Sequence, residues 1–278
     1  MNLKYALGLG VAVPLLPLMY YQGKKIRASV PKLPEATDPE GVCPADTKEV
    51  LNLLVIGEST IAGVGVRTHQ EGFAGTLASE LATLINVNVH WKVYARSGYT
   101  VERVRRKLVP VITEPSADLI VIGVGGNDAF TLNTPRRWRK QVQALIADVQ
   151  HKYKGVPIVF INMPPIKEFP AFTKPIKVVV GNLVEMLGQE LQKIVRALDN
   201  VFYYARVITV DDWVERLNIN ALPSEFFSDG VHPSKLTYQA WAKDVAQYLN
   251  RLVDSGALRL VKVPNPVASQ PTTKQDAP

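Results

Sequence analysis

The sequence predicts an α/β fold in which a mainly parallel sheet is covered by helices on both faces. Three observations carry this reading. Short apolar runs at about 51–56, 87–94, 117–124 and 156–161, with a weaker one at 201–207, have the length and composition of strands. Helical stretches near 73–85, 101–112, 135–153 and 177–198 alternate with them, and such a rhythm builds parallel strands joined by helical crossovers. Three of the strands are followed by a turn that pairs glycine with polar residues, at Gly57, Gly98 and Gly125-Gly126.

The chain divides by composition. Tyr5 to Tyr21 carries no charge, and as a helix it would reach roughly 25 Å, slightly short of a hydrocarbon core of about 30 Å. Lys4 precedes it and Lys24, Lys25 and Arg27 follow, with no small-residue cleavage site between. Residues 1–30 are therefore expected to be an uncleaved hydrophobic anchor, with a signal-like segment as the competing reading. The positive cluster after the apolar run favours a cytoplasmic domain, the periplasmic or secreted location being the alternative. Residues 31–47, rich in Pro, Glu and Asp, read as a linker. Residues 48–258 form the one domain, and 259–278, with Pro264, Pro266 and Pro271, read as a disordered tail.

A net charge of +7 raises the question of nucleic acid, but there is no binding motif and the basic residues are scattered. The densest runs, Arg103-Arg105-Arg106-Lys107 and Arg136-Arg137-Arg139-Lys140, fall on expected helix faces, where a lipid headgroup contact is the functional alternative to simple solvation. The lone Cys43 cannot form an internal disulfide.

The strand at 51–56 stops at Gly57-Glu58-Ser59, which puts Ser59 at a strand's C-terminal end, the edge where open α/β sheets bind ligands. A serine hydroxyl becomes a nucleophile only beside a base. Of four histidines, His232 has Asp229 three residues upstream, and that carboxylate can fix the imidazole tautomer. Pro233 keeps His232 out of the helix expected from Ser234 to Leu252. His69, His90 and His151 lack an acid so placed. After the strand at 117–124, the glycines of Gly125-Gly126-Asn127-Asp128 let backbone approach a ligand, and Asn127 offers a side-chain N–H. Aimed at the oxygen of a tetrahedral intermediate, such a donor contributes roughly 2.7–4 kcal/mol. The Gly98 backbone N–H, in Arg96-Ser97-Gly98-Tyr99-Thr100, is a further donor.

These blocks, in this order, resemble the SGNH or GDSL-type hydrolase superfamily. The resemblance covers about Leu51 to Leu252 and places the family's four namesake residues on Ser59, Gly98, Asn127 and His232, with the triad acid on Asp229. It implies a three-layer α/β/α sandwich of flavodoxin-like type around a parallel five-stranded sheet, acting on carboxylic esters with no metal or other cofactor. Two departures stand out. Glu58 replaces the family's usual Asp, and no asparagine precedes Gly98. Ile61 stands where a Gly-x-Ser-x-Gly elbow would need its second glycine, which separates the chain from ordinary α/β-hydrolases.

Taken singly, each residue has a plainer role: Ser59 as a helix cap, Asn127 and Asp128 as turn formers, Asp229-Gly230 as a turn dipeptide. Their conjunction at successive strand ends favours an active site. The expected function is a serine esterase acting on lipid-derived or short- to medium-chain acyl esters, its oxyanion held by Asn127 and the N–H groups of Ser59 and Gly98. Phe169, Phe226 and Phe227 are expected to line an acyl groove, with ordinary loop packing as the other reading. A carbohydrate O-acetyl esterase or an acyltransferase would use the same residues. A membrane-tethered binding module without turnover is the alternative of another class. The expected partners are a small-molecule or lipid ester and a membrane surface, not nucleic acid.

Overall fold

The computed structural model describes residues 3–260 and 263–264. Five parallel strands form the centre of its sheet: β2 (Glu49–Gly57), β3 (Asn88–Ala95), β4 (Leu119–Gly123), β5 (Ile158–Phe160) and β6 (Val201–Tyr203). Their order, β3-β2-β4-β5-β6, reverses direction between β3 and β4. Two short antiparallel strands extend the sheet. β1 (Glu40–Cys43) pairs with β3, and β7 (Val263–Pro264) pairs with the start of β2.

Strand alternation sorts the core into two layers. Leu54, Ile56, Ile120, Ile122, Ile158 and Phe160 pack on one face with α3 (Val101–Lys107), α5 (Pro135–Lys152) and α6 (Lys174–Val195). Leu51, Leu53, Val55, Leu119, Val121 and Val159 pack on the other with α2 (Phe73–Leu84), α7 (Val210–Arg216) and α8 (Lys235–Asp254). Most of these side chains have no exposure, and each contributes roughly 1.5–3 kcal/mol by burial. This is the three-layer α/β/α architecture that the apolar rhythm predicts. The longer expected stretch at 101–112 is divided, since α3 ends at Lys107 and a single 3₁₀ turn, Val109–Val111, follows around Pro110.

The N-terminal expectations are corrected. Among the described residues, no helix is long and apolar enough to cross a membrane. Leu3–Ser29 instead forms a helix, α1, that docks on α6. Ala12, Leu15, Met19, Gln22 and Ile26, spaced by three and four residues, make one seam. Ala12 and Met19 are buried, Leu15 and Ile26 pack against the first core layer, and Gln22 Oε1 accepts the Thr173 hydroxyl at 2.6 Å. The expected linker at 31–47 is part of the domain, because Glu40–Cys43 pairs along β3 and Thr37 bridges to Thr68. Its proline-rich composition suits a short edge strand as well as a spacer. The expected tail at 259–278 lies largely outside the described residues; within it, β7 pairs Val263 with Val50 and Pro264 with Glu49.

The basic runs are partly neutralised within the fold. Arg105 bonds Asp148 at 3.1 Å and Glu102 at 3.4 Å, Arg106 also meets Glu102, and Arg139 meets Glu190. That pairing weakens the headgroup reading for these helix faces.

Candidate active site

The register of the sheet brings the turns together. Gly57 stands opposite both Ala95 and Gly123, so β2, β3 and β4 end at one level and release their loops into one crevice. Gly57 has no room for a side chain: a Cβ there would lie 2.3 Å from Gly123 O and 2.5 Å from the Ile61 side chain. Ser59 follows in a tight turn closed by Ala62 N–H donating to Glu58 O and Val64 N–H to Ser59 O.

The histidine loop is built separately and pinned to this turn. Phe227 and Pro233 form an antiparallel bridge, and Ser228 N–H donates to His232 O at 2.9 Å. Tyr238, on the first turn of α8, donates its hydroxyl to Val64 O at 2.8 Å, which ties the loop's exit to the loop that follows Ser59. Within the loop, Asp229 Oδ2 lies 2.7 Å from His232 Nδ1. Asp229 Oδ1 accepts the backbone N–H of His232 at 2.7 Å and of Val231 at 2.9 Å. Burial alone would raise this carboxyl, but the bonds from His232 and Val231 prevail and hold it below the ordinary aspartate range. A carboxylate so placed takes the Nδ1–H of His232 and leaves Nε2 as the basic nitrogen.

Ser59, His232, Gly98 and Asn127 line one cavity of about 170 Å³. The backbone N–H groups of Ser59 and Gly98 have no hydrogen-bond partner among the described residues. Gly98 holds φ +78, a conformation that disfavours any side chain, and so aims its peptide in a way that the flanking residues could not. Asn127 is more constrained than the sequence suggests. Its Nδ2 donates to Glu58 Oε2 at 2.7 Å and to Tyr99 O at 3.2 Å, so both amide protons already have acceptors.

Two acidic residues that the motifs left without a role organise these turns. Glu58 is buried and accepts the backbone N–H of Gly126 at 2.7 Å and of Asn127 at 3.0 Å, in addition to the Asn127 side chain. Burial pushes its carboxyl up to about 7, the Asn127 and Gly126 bonds opposing and Asp128 reinforcing the rise. Asp128 caps α3, whose N-cap Thr100 provides no side-chain bond: Asp128 Oδ2 accepts Val101 N–H at 2.8 Å and Oδ1 accepts Asn133 Nδ2 at 2.9 Å. Burial raises its carboxyl, against those two bonds.

The expected aromatic groove is corrected at one position. Phe226 has no exposure and belongs to the second core layer, whereas its neighbour Phe227, in extended backbone, turns to the cavity with Phe169. Phe169 and Phe227 meet edge to face at 5.6 Å, and Phe130, absent from the sequence reading, lines the same cavity. Among the other histidines, His69 is buried and pushed down to about 4 by that burial. No group of three or more His, Cys, Asp or Glu among the described residues is arranged to hold a metal ion.

The sequence model of the GDSL-like Lipase/Acylhydrolase family matches residues 55–240, from the end of β2 into α8. The chain belongs to this family. As a family member it is a carboxylic ester hydrolase. Solved structures share the fold at low identity. The lipase Lip_vut3 from a goat rumen metagenome superposes with a TM-score of 0.52 at 18% identity, covering 71% of this chain and 98% of that one. A Clostridium thermocellum family 3 carbohydrate esterase gives 0.53 at 15% identity, covering 75% and 100%. TesA gives 0.53 at 18% identity, covering 74% and 99%. No curated protein sequence matches the chain.

Proposed function

We propose that this family member hydrolyses short- to medium-chain acyl esters through a serine acyl-enzyme. The observation that carries the reading is the Asp229–His232 pair at 2.7 Å, set on the same cavity as Ser59 and two unpartnered backbone N–H groups. His232 Nε2 takes the Ser59 proton and Ser59 Oγ attacks the ester carbonyl. The resulting oxyanion is stabilised by the N–H groups of Ser59 and Gly98. Asn127 adds a third donor when the substrate oxygen replaces Tyr99 O, the longer of its two bonds. His232 then protonates the departing alcohol, and water enters by the same route to release the acid. Asp229 orients the ring and stabilises its charged form throughout.

The cavity, at about 170 Å³, is smaller than the roughly 300 Å³ at which sites for drug-sized ligands begin, and its wall includes Phe130, Phe169 and Phe227. A small apolar acyl group fits that description. An O-acetylated carbohydrate meets the same size limit, and an acyltransferase differs only in the nucleophile of the second step. A p-nitrophenyl ester series from acetyl to palmitoyl, with Ser59→Ala alongside, tests the reading: turnover is expected for the short members and absent from the variant. A fully active Ser59→Ala protein overturns it, and competition by sugar or lipid alcohols separates transfer from hydrolysis.

The membrane partner is proposed to meet α1 lying on a lipid surface. Val13, Leu16, Leu18, Tyr20 and Tyr21 are exposed around the circumference left free by the α6 seam, and Lys24, Lys25 and Arg27 follow them without ion pairs among the described residues. Loss of vesicle binding on neutralising the three cations is the expected result; undiminished binding to anionic vesicles counts against it.

A further inference from the structure

Glu58 is the one point at which the nucleophile's own turn departs from the family pattern, and its carboxylate also joins that turn to the one bearing Asn127. Its two oxygens receive three N–H groups, from Gly126 N, Asn127 N and Asn127 Nδ2. No cationic side chain forms an ion pair with it among the described residues. We infer that Glu58 is a positioning residue that fixes the orientation of the Asn127 amide and, through Tyr99 O, ties the turn bearing Asn127 to the turn bearing Gly98. The inference rests on the hydrolase reading above.

The argument is one of donor and acceptor identity. The two ends of an asparagine amide are nearly the same size, so packing alone scarcely distinguishes one orientation from its flip. A carboxylate distinguishes them, because it accepts and cannot donate. With Glu58 ionised, only Nδ2 can face it, and the second amide proton is then directed at Tyr99 O, next to Gly98. The donor needed for an oxyanion is thereby held in place before substrate arrives, which is what makes such a donor effective. The extra methylene of glutamate extends the reach of the nucleophile's neighbour toward the turn between β4 and the short helix α4 (Gly126–Phe130). Gly126 is close packed against it: a Cβ at that position would lie 2.9 Å from Glu58 Oε1.

A proton on Glu58 would oppose this arrangement, placing a fourth donor among three. The charged and titratable groups around it are Asp128 on α4, which disfavours the ionised form, and the Asp229–His232 pair across the cavity. Burial brings the carboxyl to about 7, so protonation competes with the strut near neutral pH. Activity is therefore expected to fall on the acidic side as Glu58 takes up its proton.

The test compares Glu58→Gln, Glu58→Asp and Asn127→Ala in the full chain. Glu58→Gln is expected to lower kcat by about 10- to 100-fold with little change in KM, and to remove the contribution of Glu58 to the acid limb of the pH profile. Glu58→Asp, which restores an anionic acceptor, is expected to recover part of the loss. In an Asn127→Ala background, Glu58→Gln is expected to add little, because the two residues act through one bond. Additive losses, or an unchanged pH profile in Glu58→Gln, overturn the inference. If Glu58→Gln does not fold, the wild-type Asn127 side-chain amide resonances supply the readout: they must titrate near pH 7, and resonances that stay fixed there overturn it. Failure of the hydrolase reading shows differently, as wild-type protein that cleaves no ester or a Ser59→Ala variant that still does, while the amide titration continues to report on Glu58.

Discussion

Glu35 Oε1 accepts the backbone N–H of Ser97 at 2.7 Å. The same carboxylate bonds Arg96 at 3.0 Å, so a residue from the N-terminal segment clamps both positions before Gly98. The clamp holds the entry to a turn whose next peptide, at positive φ, supplies an unpartnered N–H to the cavity.

Glu35→Ala is accordingly expected to reduce kcat by about tenfold with KM little changed, because a misplaced donor stabilises the transition state less than the bound substrate. The stability loss is expected to be small, about 1 kcal/mol, since the bonds are partly exposed. Steady-state kinetics and a urea titration on the same sample check both halves. A stability loss with unchanged kcat would confine Glu35 to a structural role.

Asp229→Asn is expected to reduce kcat by about 10⁴-fold, by analogy with the same exchange in a serine protease triad. An asparagine Oδ1 can keep the N–H bonds of Val231 and His232, so the loop survives. Its amide would meet Nδ1 with a donor and favour the tautomer that carries its proton on Nε2, where the base is needed. Retention of the fold by circular dichroism alongside lost ester turnover is the expected outcome. Activity within tenfold of wild type would show that the pair does not act as base and orienter.

Glu58 also predicts a pH dependence of stability. Its carboxyl is raised from an ordinary 4.5 to about 7 in the folded protein, so the folded state binds a proton more tightly than the unfolded chain does. Its favourable contribution is fully present below about 4.5 and is lost as pH rises through about 7. Its size is on the order of 3 kcal/mol at most. Glu58→Gln cannot ionise and is expected to flatten this part of the stability curve. Thermal melts of both proteins from acid to mildly alkaline pH measure the difference; parallel curves would refute it. The same ionisation thus weakens the fold while ordering the Asn127 amide.

What could be read in the sequence follows from which interactions are local. Asp229 and His232 meet across three residues in one turn, and the strand ends at Gly57 and Gly123 announce themselves by apolar runs that give way to glycine. Glu35 and Glu58 act on backbone N–H groups 62 and 68 residues away, and a backbone donor leaves no mark in sequence. β1 was hidden by its length of four residues and its proline-rich surroundings. Phe226 and Phe227 were indistinguishable because both are apolar loop residues; Phe226 ends a 3₁₀ turn, Pro223–Phe226, in the core, whereas Phe227 takes extended backbone at the bridge to Pro233.

Phe169 offers a way to change the acyl preference. It is buried to 7% exposure between Phe172 at 5.4 Å and Phe227 at 5.6 Å, and it lines the same cavity as Ser59 and His232. Phe169→Ala removes a ring from the wall and is expected to cost about 3 kcal/mol of stability, as aromatic truncations in packed settings do. The room it creates lies where an acyl chain would extend. Discrimination by an apolar pocket is worth about 1–3 kcal/mol per methylene, so the ratio of kcat/KM for a longer over a shorter p-nitrophenyl ester is expected to rise about tenfold or more. An equal loss for all chain lengths would instead place the acyl chain on another wall, leaving Phe169 as packing for the loop between β5 and α6.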